Sequence, residues 1–312
     1  MRHIILLLRS SCFLLAFLAT CAAAQSSTAN GSWPVKLEKN YSKSYPIGSE
    51  KVYLSNRFGA MDIEIWDKNE VKVEAVASVG AQTEEYAKSM LENIQITDEK
   101  KDSIRFQTNI RSVNNGWEEN KGGYEMRVNW KVYLPANAKI CAQNDFGPMT
   151  IGDYKGEAEL CSRYGSLQAG KLANARKVTV EFGKLTAESL NNTMLTCRYS
   201  RVDINSLSGE IDARFDFCNS IDLPLSNNIK KLDLKNNYTS LYVVLDRSFA
   251  GTYDIATTNA RVSTKSDISI SEEKRPDNSY GYNPNHKYTG SFGKGGNSHI
   301  SIKSNSGNIR LL

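Results

Sequence analysis

Hydrophobic and polar positions along this chain recur as a phrase. The stretches "NDFGPMTIG", "SRYGSLQAG", "VEFGKLTAE", "CRYSRVDIN" and "NNYTSLYVV" share an aromatic, then a glycine or polar residue, then two small or apolar residues one position apart. With the aromatic as anchor the series runs Phe58, Phe146, Tyr164, Phe182, Tyr199, Phe215 and Tyr238, with Asn259 and Ser306 as degenerate copies. From Phe146 to Phe215 the spacings are 18, 18, 17 and 16 residues, the mark of a repeat architecture. Two and four positions before the anchor stand small or apolar residues: Asn144 and Ala142, Ser162 and Leu160, Val180 and Val178, Cys197 and Leu195, Ala213 and Ile211. Three and five positions after it come Met149 and Ile151, Leu167 and Ala169, Leu185 and Ala187, Val202 and Ile204, Leu241 and Val243. Each set has period two, which predicts a strand with that face inward.

The step between the two sets is odd, so the chain must bend at the anchor to keep both inside. Gly59, Gly147, Gly165, Gly183 and Gly307 follow the anchor directly and are expected to take the positive φ of a tight corner. Ser200, Asp216, Thr239 and Ala260 stand at the remaining corners. Each unit then reads strand, corner, strand, polar turn, and is too thin to bury its apolar face alone. Stacking successive units at about 4.8 Å pairs every strand with its neighbours. The fold class expected is mainly β: a β-helix or β-solenoid of stacked two-strand rungs, with a small α+β cap containing one helix. The outward position before the anchor, Arg57, Asp145, Arg163, Glu181, Arg198 and Arg214, predicts a cross-rung charge ladder. The alternative is a sugar- or anion-binding stripe, which makes Arg163, Arg198 and Arg214 candidate surface contacts.

Two segments break the pattern. Within residues 59–145, "DIEIWDKNEVKVEAVASV" predicts two strands, and "TEEYAKSMLENIQI" predicts the helix, with Thr83 as N-cap and Tyr86, Met90, Leu91 and Ile94 on one face. "SIRFQTNIRS" and "YEMRVNWKVYLP" read as further strands around the loop "VNNGWEENKGGY". Near the other end, residues 271–297 predict a long hairpin or mobile loop. Its Tyr280, Tyr282 and Tyr288 suit contact with a sugar or partner, or packing over the open end of the stack. The domain division expected is a signal peptide over 1–24, a linker over 25–45, a first rung and cap over 46–139, and the solenoid over 140–312.

Composition narrows the function classes. Arg2 and Arg9, the apolar run Cys12–Ala19 and the close at Ala22 and Ala24 predict a secretory leader. "LATC" leaves a lipid anchor at Cys21 as a minor alternative. Removing the leader's two arginines lowers the net charge from +5 to 37 − 34 = +3, with no concentration that would mark a nucleic-acid footprint. No later run is long enough for a membrane-spanning helix. Cys141, Cys161, Cys197 and Cys218 match no metal signature, and an export compartment permits a disulfide between Cys141 and Cys161 without requiring one. His286 and His299 make no cluster, and neither a nucleophile elbow nor a phosphate loop is present; no cofactor or metal is expected. Asp203 with Arg201 is the place where an active site on polysaccharide would be sought. Asn191 and Asn237 head glycosylation-type triplets but read as turn residues.

"VYLSNRFGAMDIEIWDKNEVKVEAVA", "VYLPANAKICAQNDFGPMTIGDYKGE", the run of F/Y-G rungs and the closing "ISIKSNSGNIRLL" resemble the bacterial β-strand-repeat family labelled putative adhesins, over roughly residues 45–312. The resemblance implies an exported, non-enzymatic protein of a Gram-negative periplasm or cell surface, binding an envelope glycan or protein. An envelope-stress sensor or structural component is the runner-up, and a polysaccharide-active enzyme a third reading. This chain departs from the family pattern where Ser, Asp or Thr replaces the corner glycine and at "FDFCNSIDLPL".

Overall fold

The computed structural model describes residues 33–111, 123–246, 248–265, 268–273 and 283–312. They hold twenty-one strands and one helix, so the chain is mainly β, and the strands join in one hydrogen-bonded sheet system. Trp33–Leu312 forms one unit. The leader and Cys21 lie outside the described residues, as does most of the 113–124 loop.

The strands before each corner pair in parallel. Lys51–Arg57, Lys139–Asp145, Tyr154–Arg163 and the later halves of Ser166–Glu181 and Lys184–Arg198 follow one another. Leu207–Asp216 and the later half of Ile221–Asn237 continue the series. The strands after each corner form a second parallel series through Met61–Trp66, Met149–Ile151, the early halves of Ser166–Glu181 and Lys184–Arg198, and Arg201–Ile204. Because the register carries like onto like, Leu160 stands against Val178 and Val178 against Leu195. The inward positions of both series make one continuous core.

The corner is built differently from the expectation. The positive φ belongs to the anchor: Phe58, Phe146, Tyr164, Phe182, Tyr199, Phe217, Tyr238, Asn259 and Ser306 all have φ between 49° and 61°. The glycine after it is required for space. A Cβ on Gly147, Gly165 or Gly183 would lie 2.0, 2.1 or 1.8 Å from the carbonyl oxygen of the preceding corner glycine, so consecutive corners touch through bare backbone. Where the glycine is missing, the side chain tucks inward. Ser200 Oγ donates to the Val180 and Arg198 carbonyls, and Thr239 Oγ1 accepts from Cys218 N at 3.0 Å.

A second correction concerns the anchor itself. Phe215 is fully buried, and the corner residue is Phe217. Phe215 pairs with Cys197 on the inward face, so Cys218, not Asp216, follows the anchor, and Arg214 moves out of the column beside it. The inward position two before the anchor is polar at Asn56, Asn144, Asn236 and Ser304 because corner carbonyls point inside. Asn144 Nδ2 donates to the Gly59 and Pro148 carbonyls, Asn56 Nδ2 to Val128 O and Asn144 Oδ1, and Ser304 Oγ to Gly307 O.

The stacking order departs from chain order at both ends. Ser298–Asn305 inserts between Ile221–Asn237 and Gly251–Thr258, and Asn285–Phe292 closes that end antiparallel to Gly251–Thr258. At the other end Ser103–Ile110 and Tyr124–Pro135 extend the two series. The helix Glu84–Glu92 begins at the N-cap Thr83, whose side chain accepts from Tyr86 N, and buries Ala87 and Met90. Val35–Pro46, where the sequence reads as linker, is a strand antiparallel to Glu70–Ala81. Its Tyr41 and Tyr45 hydroxyls donate to the Asp98 carboxylate; the bond to Asp98 holds the Tyr45 hydroxyl up at about 12.

Gly165→Ala is expected to destabilise the protein by about 3 kcal/mol, since backbone and not a side-chain tip must move. Gly152→Ala, with nothing within 4 Å of the added carbon, should change the melting temperature little. Equal effects in thermal melts would refute the backbone contact.

Candidate functional site

The left-handed anchor conformation throws the aromatic outward at each corner. Seven rings stack in one column: Phe58, Phe146, Tyr164, Phe182, Tyr199, Phe217 and Tyr238, with centroids 4.9–5.1 Å apart and planes within 9° of parallel. Six of them, Phe146 to Tyr238, are 43–54% exposed. At about 200 Å² per aromatic side chain, the ridge shows solvent roughly 600 Å² of ring surface, the upper end of what a monomer ordinarily leaves open. Each interior ring has neighbours on both faces, so the ridge offers ring edges. Alternate positions add the hydroxyls of Tyr164, Tyr199 and Tyr238.

Holding a side chain in the left-handed region costs about 1–2 kcal/mol whatever that side chain is. The stacked rings offset it through the area they bury on one another and about 0.5–1.5 kcal/mol per aromatic contact beyond that. Asn259 and Ser306 occupy the same conformation at two other corners, so the corner itself does not require an aromatic.

Beside the ridge runs the charge column. With Phe217 as anchor it reads Arg57, Asp145, Arg163, Glu181, Arg198, Asp216, in consecutive register, so signs alternate without a break. Arg163 lies 3.9 Å from Asp145 and 3.3 Å from Glu181. Arg198 lies 3.0 Å from Glu181 and 3.3 Å from Asp216. Arg57, at the free end, sits over the Phe58 ring at 5.0 Å. The pairs that Arg163 makes contribute a few tenths of a kcal/mol each, and the Arg198–Asp216 pair is the most covered, with the Asp216 side chain 9% exposed. Arg214 stands one outward position away, 2.8 Å from Asp216, and joins the same network from the side. Burial pushes the Asp216 carboxyl upward, and hydrogen bonds from Arg214, Asn237 and Arg198, with the Arg214 charge, outweigh it to leave its pKa below 3.8.

Tyr288 lies half-buried against the core on the strand that pairs with Gly251–Thr258, and burial raises its hydroxyl pKa. Tyr280 and Tyr282 lie outside the described residues. Tyr288 is therefore partly covered at the end of the sheet.

A second feature lies across the sheet. The chain gains a residue between Phe217 and Ile221, and Arg201–Ile204 has a ladder partner only in Lys184–Arg198, while Ile221–Leu225 pairs on its other side with Leu241–Leu245. The gap leaves a polar cleft of about 470 Å³ lined by Arg201, Asp203, Asn205, Asn219, Ser220 and Asp222 among others. A hydrogen bond from Lys184, with Arg201 beside it, holds the Asp203 carboxyl below its ordinary value. A carboxylate so held accepts hydrogen bonds and does not keep the proton a general acid needs. The four cysteines among the described residues are free thiols: Cys141 faces Glu159 and Cys161 faces Gln143, and burial pushes the thiols of Cys197 and Cys218 up. Among the described residues no group of His, Cys, Asp or Glu is arranged to hold a metal ion, and no helix is long and apolar enough to cross a membrane.

No protein-family model and no curated protein matches the chain. Among solved structures it is similar to a putative cell adhesion protein from Clostridium sporogenes, at 15% identity over 88% of this chain and 99% of that one, with a TM-score of 0.22. It is also similar to a putative adhesin from Bacteroides fragilis, at 10% identity over 88% and 97%, TM-score 0.34. A putative lipid binding protein from Parabacteroides distasonis shows 9% identity over 88% and 96%, TM-score 0.26.

The depressed Asp216 pKa fixes an acid limb. Its contribution to stability is complete above the unfolded value of 3.8 and is lost as pH falls through the lower folded value. Asp216→Asn should therefore melt below the parent at neutral pH and converge with it in strong acid. A temperature difference that stays constant across the acid range would show that the carboxylate's charge contributes nothing.

Proposed function

We propose that this protein is a non-enzymatic, exported, adhesin-like β-repeat protein that presents a rigid surface to a glycan or protein partner at the cell envelope. In this reading the two parallel strand series are the faces of a β-solenoid, whose rungs repeat at the spacing of the stacked rings. The leader-like first 24 residues support export. The observation that carries the reading is the aromatic ridge: roughly 600 Å² of ring edge held in the open at corners that, by the example of Asn259 and Ser306, do not require an aromatic.

The charge column supports a rigid ridge more than an anion stripe, because Arg163 and Arg198 each already lie between two carboxylates. The ridge suits edge contacts, hydroxyl hydrogen bonds and apolar burial. Its ring faces are covered by one another, which disfavours sugar stacking on single rings. The polar cleft beside Asp203 is where a polysaccharide-active enzyme, the competing reading, would work. An envelope-stress sensor or structural component would use the same scaffold with no soluble ligand.

Binding of purified protein to an array of envelope glycans and to membrane-fraction proteins tests the proposal. Tyr199→Asn/Phe217→Asn should lose most binding while keeping the parent's circular dichroism, since asparagine tolerates the left-handed corner; it should melt below the parent, because three ring contacts are lost. Binding unchanged in that variant, or abolished by Asp203→Asn alone, would overturn the ridge as the contact surface.

A further inference from the structure

The flank of the ridge says which partner fits it. The column beside the rings reads plus, minus, plus, minus, plus, minus from Arg57 to Asp216. An even, alternating series has a property that an odd one lacks: laid against its own reverse, every position meets the opposite sign. Asp145 faces Arg198 and Arg163 faces Glu181, each twice by symmetry, and these pairs carry the match; Arg57 falls opposite Asp216, whose side chain is 9% exposed and already bound by Arg198, Arg214 and Asn237.

A two-fold axis that achieves this lies across the ridge, midway between Tyr164 and Phe182. The same axis sets Tyr164 on Phe182, Phe146 on Tyr199 and Phe58 on Phe217 of a second copy. On the other flank it sets Lys184 opposite Ser166 and Arg201 opposite Pro148, so no like charges meet there. A two-fold axis along the ridge instead lays the charge column on that other flank and loses the match. Sliding the reversed copy by two rungs keeps the signs but uncovers rings.

The area agrees. Tyr238 lies outside the overlap, so the five exposed rings from Phe146 to Phe217 on each copy remove roughly 1,000 Å² from water, about the least a specific interface must bury, before the flanking columns are counted. Arg163 and Arg198 each already lie between two carboxylates of their own column yet keep 41% and 44% of their side chains exposed, and a guanidinium has five N–H donors, so a facing carboxylate would be a third partner for each.

We propose that the ridge binds a second copy of this chain, forming an isologous antiparallel dimer in which the aromatic columns meet and the charge columns pair in reverse. This rests on the reading of the ridge as an interaction surface and names its occupant.

Sedimentation velocity on the full purified protein tests it, with folding checked by circular dichroism. The parent should be a dimer at micromolar concentration. Glu181→Arg sets Arg163 against an arginine at the centre of the interface, and Arg163→Glu sets two acids there; each alone should weaken dimerisation more than about tenfold. Mixed together, the two variants restore every opposite-sign pair and should form a heterodimer. Tyr164→Asn/Phe182→Asn leaves the charge column intact, guards against variants that fail to fold, and should be monomeric. A monomeric parent, dimers that persist in all variants, or a mixture that stays monomeric would each overturn the proposal. A monomeric parent whose ridge variants still lose envelope binding would sink the dimer and leave the partner-binding reading standing.

Discussion

Backbone touching backbone at the corner is the contact on which the rest of this structure depends. A corner glycine has no Cβ because the space that atom would fill, about 2 Å from the preceding corner's carbonyl oxygen, is occupied. The spacing of neighbouring parallel strands brings successive corners this close, and the chain turns at the residue before, with or without a glycine after it. The turn takes the left-handed conformation, so whatever side chain stands there must point away from the core. The aromatic column, the charge column and the inward polar bonds all follow from that geometry.

Inside, the corner leaves carbonyls aimed at the core. Buried carbonyls without donors would be costly, and the chain answers with Asn56, Asn144, Asn236 and Ser304 two positions before the turn. Where glycine is absent, Ser200 and Thr239 serve corner groups with their own hydroxyls. The core is therefore apolar along the strands and hydrogen-bonded at one edge. Outside, the same periodicity brings like rings within stacking distance and opposite charges into register. The charge pairs contribute a few tenths of a kcal/mol each, the rings add contact and burial, and the outer edge of the ridge remains an apolar surface in water. A surface of that size, held rigid by a packed core, is suited to burial against something.

Much of this was legible in the chain, and the limits are specific. The alternation at Leu160, Val178 and Leu195 identified the inward face, and Thr83 with the spacing of Met90 identified the helix. The choice between Phe215 and Phe217 was not decided by aromatic identity, since "FDF" offers both at positions two apart with the same alternation. Spacing held the signal: Phe217 lies 18 residues after Tyr199, and it places Asp216 next in the alternating charges. The exposure of the ridge was harder to see, because an aromatic followed by glycine reads as well for a core residue beside a flexible corner as for the reverse. The cleft at Asp203 depends on one additional residue after Phe217, whose effect appears only when neighbouring strands fail to meet.

By itself the sequence determined what is local and periodic: which faces of which strands are apolar, where the chain bends, where the helix starts, and that charges alternate along one column. Those properties depend on side-chain chemistry at fixed intervals, so they survive without knowledge of neighbours. Only the tertiary structure decided which residue takes the positive φ, that the rings face water, that Arg57 pairs with Asp145 across a long insertion, and that Ser298–Asn305 inserts between Ile221–Asn237 and Gly251–Thr258. Each of these depends on which strand lies next to which, and pairing between residues far apart in the chain is set by the packing of the whole, not by any one segment's preference.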